Sequence, residues 1–554
     1  FPVYPEPCRS TVTGVFMRLT LNSVLVATMT VLPVPLNVLA EQQAILDKPL
    51  ISVPAALPVP NPTRSFWIDS PNANPYAKEG SEGPLTADAD ICIIGSGITG
   101  VSAAYHLSNA LHKNDAAKPS KIVILEARDF CQHELSLNSS VQAQRQLVSI
   151  ISACFTIHLR ILGRNGGHLT PTVFKDFQAQ AAAHGTDEAL RALAVEHHTA
   201  DEILRILHEL GQERSVDLVA GGHVDLMFTE AEVIRMKGDY EAAKAAGVNV
   251  SDAQWLKKDE TEAASYRPMS FIYGAAYPGV RIPGHNLWPL KLVTLLFNGA
   301  KDLCSSRHAL ALHTRTPVTA ISTISSDTSS PRRWNVTTPR GSIACSYVLH
   351  ATNAYASHLL PHMHGHAGII PTRGQVIAVR AAVPTTALTR SGFSGNEGFE
   401  YWFPRPVTSA EETPLVILGG GRESTRPAFE LYTVDDSVVN KHVGEALRKF
   451  LPSVFPGKYE VGREPEMEWT GIMGFTKSGD PFVGPVIDPS KPDAETAYKG
   501  QYISAGYSGH GMTRAFACAE AVAQMIAADM TGDTWTPPAW LPRHYVTTTQ
   551  SREP

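Results

Sequence analysis

The apolar run Ile91-Cys92-Ile93-Ile94 breaks into Gly95-Ser96-Gly97-Ile98-Thr99-Gly100, then resumes as Val101-Ser102-Ala103-Ala104-Tyr105-His106-Leu107. That pattern predicts a buried strand, a tight turn and a helix start. A second run, Lys121 to Leu125, ends at Glu126 and predicts the neighbouring strand. Helical periodicity is strong from Val173 to Leu210, with only Gly185 intervening; Ile203, Leu204, Ile206 and Leu207 crowd one face. Asp217 to Phe228 alternates like a hairpin around Gly221-Gly222. Thr229 to Ala246 returns to helix, and Pro289 to Phe297 is an apolar helix. Strands are predicted within Ala309–Leu349 and at Gly374–Val379, Leu415–Leu418 and Gln501–Gly506. After the last comes Tyr507-Ser508-Gly509-His510-Gly511-Met512, then an apolar helix through Met525.

This order predicts an α/β chain (α+β overall), with a Rossmann-like nucleotide domain and an interleaved, antiparallel-sheet substrate domain. The expected division is a leader and irregular arm over 1–85, then the nucleotide domain over 86–215, 280–360 and 465–535. The second domain takes 216–279 and 361–464, and 536–554 forms a tail.

Length and composition narrow the class. The 554 residues, 43% hydrophobic and 18% charged, suit a multidomain globular protein. A net charge of −6 argues against a nucleic-acid partner. The seven cysteines include no C-x-x-C, which argues against zinc ribbons and dithiol redox chemistry. From Met17, an apolar stretch ending at Val38-Leu39-Ala40 reads as a secretory signal peptide; a disordered leader on a cytoplasmic protein fits equally. Pro33 and Pro35 argue against a stable membrane span.

The chemistry begins at the first glycine turn. Gly95 permits the turn, Gly97 lets backbone approach a pyrophosphate, and Gly100 lets helix and strand pack closely. The phosphates then sit on the helix N–H groups, and Glu126 can accept ribose hydroxyls. The C-terminal unit repeats this logic: a strand ends at Gly506 and a helix begins near Met512. A reduced flavin carries negative charge on its pyrimidine edge and gains from such a helix start; a nicotinamide does not. Two helix starts at opposite ends of the chain therefore favour FAD over NAD. His362-Met363-His364-Gly365-His366 is read as a solvated loop, and no metal site is expected. Gly506 to His510 nearly matches a nucleophile elbow, but its fifth residue is histidine, which argues against a hydrolase.

These motifs resemble the FAD-dependent amine and amino-acid oxidase family that includes D-amino-acid oxidase, glycine oxidase and sarcosine oxidase. The likeness spans most of residues 86 to 530. It rests on Ile94 to Gly100, Leu125-Glu126-Ala127-Arg128, Gly163-Arg164-Asn165-Gly166-Gly167-His168, Ala351-Thr352-Asn353-Ala354-Tyr355 and Gly506 to Met512. With Pro371-Thr372-Arg373-Gly374-Gln375, they look most like γ-glutamylputrescine-oxidase-type proteins.

The resemblance implies an FAD site formed by Gly95, Gly97, Ile98, Thr99, Gly100, Glu126, Ala127 and Arg128 at the ADP half. Arg164, Asn165, Gly166, Gly167, His168 and Leu169 would line the ring, with His168 also a candidate covalent tether. Val318 would meet the adenine, Thr352 would border the site, and Gly506, Gly509, His510, Gly511 and Met512 would meet the pyrimidine edge. His168, Tyr401 and Tyr507 are the catalytic candidates, with Trp469 and Tyr507 expected to line the pocket. Arg373 or Arg405 could pair with a substrate carboxylate.

One departure from the family is large. Gln132 to Leu162 intervenes before Gly163, where the family runs on within a few residues. Translated intron and genuine surface excursion both fit. The expected function is oxidation of the C–N bond of an amine or amino acid by hydride transfer to flavin, with O2 or another electron acceptor. The alternatives are an NAD-linked dehydrogenase and a flavin-free, non-catalytic protein disabled by the insertion.

Overall fold

The structure, a computed structural model, describes residues 37–47, 53–113, 120–131, 165–256, 277–304, 308–324, 332–494 and 496–549. Most of the candidate leader, the 132–162 segment and Arg164 lie outside these residues.

Two eight-stranded sheets organise the described chain. In the first, β1 (Asp88–Ile94) lies between β2 (Ser120–Leu125) and β11 (Gly341–His350), all parallel. β8 (His308–His313) extends the parallel set beyond β2, and β18 (Gln501–Ala505) extends it beyond β11. The apolar runs read as strands are nearly continuous because both faces are covered. Helix α1 (Ile98–Lys113) makes the β1-to-β2 crossover and packs against α7 (Gly511–Thr531) and α5 (Pro289–Asp302). Antiparallel β17 (Phe482–Pro485) closes one edge, and the hairpin partners β9 (Ala320–Thr323) and β10 (Trp334–Thr338) branch from β11.

The second sheet runs β16 (Met467–Phe475), β12 (Ile370–Arg380), β15 (Leu415–Gly420), β14 (Glu400–Pro404), β13 (Gly392–Gly395), β4 (His223–Leu226), β6 (Gly279–Ile282), β5 (Gln254–Leu256). All of its pairings are antiparallel except β4 with β13. Helix α6 (Lys441–Val454) buries Val443, Leu447, Phe450 and Leu451 against this sheet. The mixed architecture, a Rossmann-like sheet beside an antiparallel one, is the one the residue pattern predicts.

The long helical stretch forms α2 (Phe177–His184) and α3 (Thr186–Glu209), separated by Gly185. Helix α4 (Glu230–Ala245) starts on a capping box in which Thr229 and Glu232 satisfy each other's backbone N–H groups. The hairpin expected over Asp217–Phe228 does not form. Gly221 lies so close to Arg390 that a Cβ would fall 2.1 Å from its carbonyl oxygen, and the residues after it pair with β13 and β6 instead. Long-range strand partners outcompete the local turn. Among the described residues, no helix is long and apolar enough to cross a membrane.

Candidate active site

The first glycine corner is dictated by contact distances. A Cβ on Gly100 would lie 1.9 Å from the Gly95 carbonyl oxygen, and one on Gly95 would lie 2.7 Å from that of Ala351. The corner is tied to its neighbours by Gly95 N–H donating to Leu125 (2.8 Å) and Ala351 N–H donating to Ile94 (3.0 Å). At Gly97, by contrast, a Cβ would meet nothing within 4 Å, so open space faces that backbone.

The second corner follows β18. Gly506, Ser508 and Gly509 all take positive φ (84°, 48° and 95°), which turns the chain into α7. Asn353, in the helical turn after β11, accepts from Gly506 N–H (3.0 Å), and Ser508 N–H donates to Gly474 (2.9 Å). The corners touch each other directly. Thr99 Oγ1, in the first turn of α1, donates to the Tyr507 hydroxyl at 3.1 Å, which also bonds Ser504 at 2.8 Å.

One groove joins both corners. Gly95, Gly97, Ile98, Thr99, Glu126, Ala127, Val318, Thr352, Tyr507, Gly509 and Gly511 all line it. Neither α1 nor α7 carries an acidic residue in its first turn, whereas α3 and α4 carry two each. The nearby carboxylates come from other elements and are already committed, Glu126 to Ser96 and Arg128 and Glu196 to His510 and Arg514, so the remaining N–H groups at both helix ends suit an anionic ligand. Glu126 is 7% exposed. Burial pushes its pKa up, against bonds from Ser96 N–H (2.9 Å), Ser96 Oγ (2.8 Å) and Arg128 N–H (3.0 Å) that pull it down. The buried Thr352 hydroxyl has no hydrogen-bond partner among the described residues. Space beside Gly97, paired positive helix ends and an orphan hydroxyl together fit an elongated, polar, phosphate-bearing group such as FAD.

A second cavity shares Gly509 with this groove. His510 and Thr513 form one wall; Lys175, His223, Asp225, Ser394 and Tyr401 form the other. Lys175 Nζ lies 3.0 Å from Asp225 Oδ1, and Ser394 donates to the same oxygen. Burial works against the Asp225 charge, but Lys175, His223 and Ser394 outweigh it and hold the carboxyl below the usual range. Tyr401 lies tight against two glycines: a Cβ would come within 2.2 Å of its ring from Gly166 and 2.3 Å from Gly419.

The remaining predicted residues fall behind these surfaces. His168 packs edge-on against Phe403 (5.0 Å), His223 (5.5 Å) and Tyr401 (5.6 Å), and lines neither cavity. Asn165, Gly166, Gly167 and Leu169 lie with it; Gly100, Gly506 and Met512 shape the corners from inside. Arg128 is buried and paired with Asp436 (3.2 Å). Arg373 is taken by Glu430 (2.5 Å), and Arg405 by Asp217 (2.5 Å) beneath the faces of Trp67 and Trp288. Trp469 is buried in the core.

Reading the residues alone missed Gly471–Gly474 of β16, Asn353 and the Lys175–Asp225 pair, all of which border a cavity or hold a corner. A signal existed for the first: two glycines inside an apolar strand mark close backbone approach. None existed for the last, whose partners sit on separate elements.

Comparison with known proteins agrees with this geometry. Residues 90–525 match the family model described as DAO, FAD dependent oxidoreductase. Similar solved structures include glycine oxidase from Geobacillus kaustophilus, at 18% identity and a TM-score of 0.54, covering 84% of this chain and 100% of that one. L-amino acid deaminase from Proteus myxofaciens shares 14% identity with a TM-score of 0.54, over 89% and 98% of the two chains. L-proline dehydrogenase from P. horikoshii shares 16% with a TM-score of 0.52, over 83% and 98%. At these identities the likeness is one of fold. A search of curated protein sequences finds no match. The chain belongs to the FAD-dependent oxidoreductase family: it is an enzyme, and its cofactor is FAD rather than NAD.

Proposed function

From that membership, we propose that this flavoenzyme oxidises the C–N bond of an amine or amino acid, with dioxygen as the final acceptor. The observation that carries the reading is the second cavity, which meets the cofactor groove at Gly509 and holds a half-buried cation–anion pair. The flavin, when bound, supplies a two-electron hydride acceptor.

The chain supplies binding, orientation and electrostatics. The N–H groups at the start of α1 and Gly97 would receive the pyrophosphate, Glu126 the ribose, and Val318 the adenine side. Gly509, Gly511 and the start of α7 would face the pyrimidine edge, where positive partial charge would favour electron acceptance. In the second cavity, Lys175 suits a substrate carboxylate and Asp225 its nitrogen, a match to the two charges of an amino acid. Tyr401, pinned by its glycines, forms a rigid wall that fixes the substrate carbon toward Gly509. The substrate nitrogen gives up its proton and the adjacent carbon its hydride, leaving an imine that water hydrolyses to a carbonyl and an amine or ammonia. Dioxygen takes the two electrons and two protons and leaves as hydrogen peroxide. Tyr507 acts as a brace between the corners, since its hydroxyl is committed to Thr99 and Ser504.

The test is anaerobic bleaching. The purified enzyme is expected to be yellow, to lose colour with an amino acid or secondary amine, and to release peroxide when air returns. A flavin that no C–N substrate bleaches contradicts the proposal; bleaching without peroxide replaces dioxygen with another acceptor.

A further inference from the structure

We infer that His184, Asp480 and His544 form a binding site for a divalent cation of the zinc class, independent of the flavin site. They come from three distant segments. His184 ends α2, Asp480 lies in the turn between β16 and β17, and His544 sits in the single helical turn Arg543–Tyr545. None of the three lines the cofactor groove or the second cavity.

The donor atoms converge on one carboxylate oxygen. The two imidazoles stack with centroids 3.9 Å apart and planes within 5°, so an ion shared by both requires the partly exposed His184 ring to tilt out of the stack. Their Nε2 atoms lie 3.5 Å and 3.7 Å from one oxygen, Asp480 Oδ2. These separations are long for direct hydrogen bonds. A tetrahedral zinc with bonds of about 2.0–2.1 Å sets its donor atoms roughly 3.4 Å apart, close to what is seen. The ligand atoms of all three residues fall within 4.8 Å of one another.

Two further observations point the same way. Asp480 is 3% exposed, and its carboxylate faces only the two imidazoles and Arg514, all at 3.5 Å or more; the buried His544 Nε2 has no closer partner among the described residues. Such groups need a counter-charge. On the far side of its ring, His544 Nδ1 lies 2.9 Å from Glu188 Oε2. A donor bond there turns the Nε2 lone pair toward Asp480, the outer carboxylate–histidine arrangement common at metal sites. Arg514 stands 4.0 Å from the opposite oxygen, Oδ1, and leaves Oδ2 to the histidines. Two imidazoles and one carboxylate select zinc-class ions over calcium or magnesium, which favour all-oxygen shells. His184 is partly exposed, so the ion has an entry path.

The test uses the full-length flavoprotein, stripped with chelator and dialysed against Zn2+ or Ca2+. One Zn2+ per chain is expected, with Ca2+ binding far weaker. His184→Gln and His544→Gln should lose the site, and Glu188→Gln should weaken it about tenfold or more. His364→Gln, in the exposed histidine loop, should leave binding unchanged. X-ray absorption at the zinc edge of the unmodified protein reads the site without any variant, as two imidazoles and oxygen at about 2.0–2.1 Å. Absence of Zn2+ binding, undiminished binding in His184→Gln, or loss in His364→Gln instead would overturn the assignment.

Discussion

The two glycine corners use one device, a strand ending in glycine before a helix, yet they are tuned by different constraints. At the first corner, atoms leave no room: Gly100 and Gly95 are locked against backbone oxygens. Gly95 takes a positive φ of 110° as well. At the second, three residues do so, Gly506, Ser508 and Gly509, and the conformational constraint predominates. The first must bring a backbone against phosphate; the second must aim a helix end at a ring. A rigid contact suits the former and a strained turn the latter. Their helices pack on each other, and Thr99 and Tyr507 join them.

The largest way to break this comparison is Gly100→Val. Its Cβ would meet a carbonyl oxygen at 1.9 Å, so α1 cannot dock on β1. We expect protein with essentially no bound flavin, read from the visible absorbance per chain; a yellow, folded product would show that the contact is dispensable. Gly509→Ala acts through conformation. Holding alanine at φ 95° costs about 1–3 kcal/mol. If that strain falls on the bound state, flavin affinity drops by roughly tenfold to a hundredfold while the fold persists. Unchanged affinity by fluorescence titration would place the strain elsewhere.

A finer test concerns the link between the corners. Thr99→Val and Tyr507→Phe each remove a buried hydrogen-bonding group, at about 0.5–1.5 kcal/mol apiece. Because they share one bond, the double variant should cost less than the sum; additive losses in urea unfolding would deny the link. The smallest effect on flavin binding, none, is expected from a control away from both corners. Burial, opposed by Arg235, raises the Glu397 pKa to about 7. Folded chain then holds a proton that unfolded chain releases near its ordinary value of about 4.3, so stability falls as pH rises across that interval. Glu397→Gln should flatten this slope and leave flavin affinity unchanged; a slope that persists would assign it to another group.

Local patterns made the first corner, the broken helix at Gly185 and the final corner legible in the sequence. Each depends on residues adjacent in the chain. Sheet order, and the turn of Gly221-Gly222 away from a hairpin, depend on Arg390 and β13, far along the chain. The site divides in the same way. Spacing pointed to Gly97 and Glu126, and the family resemblance to Gly511, which line the groove, but the second cavity combines Lys175, Asp225, Ser394 and Tyr401 from different elements. The family resemblance implies that Asn165 to His168 line the ring; here they pack behind Tyr401, where Gly166 makes room for the aromatic ring.

The most direct measurement is a crystal structure of the purified yellow protein. The account predicts one FAD per chain, its pyrophosphate against Gly97 and the start of α1, and its pyrimidine edge against Gly509 and the start of α7. A flavin reaching only one of these corners, or lying outside the groove they share, would contradict it.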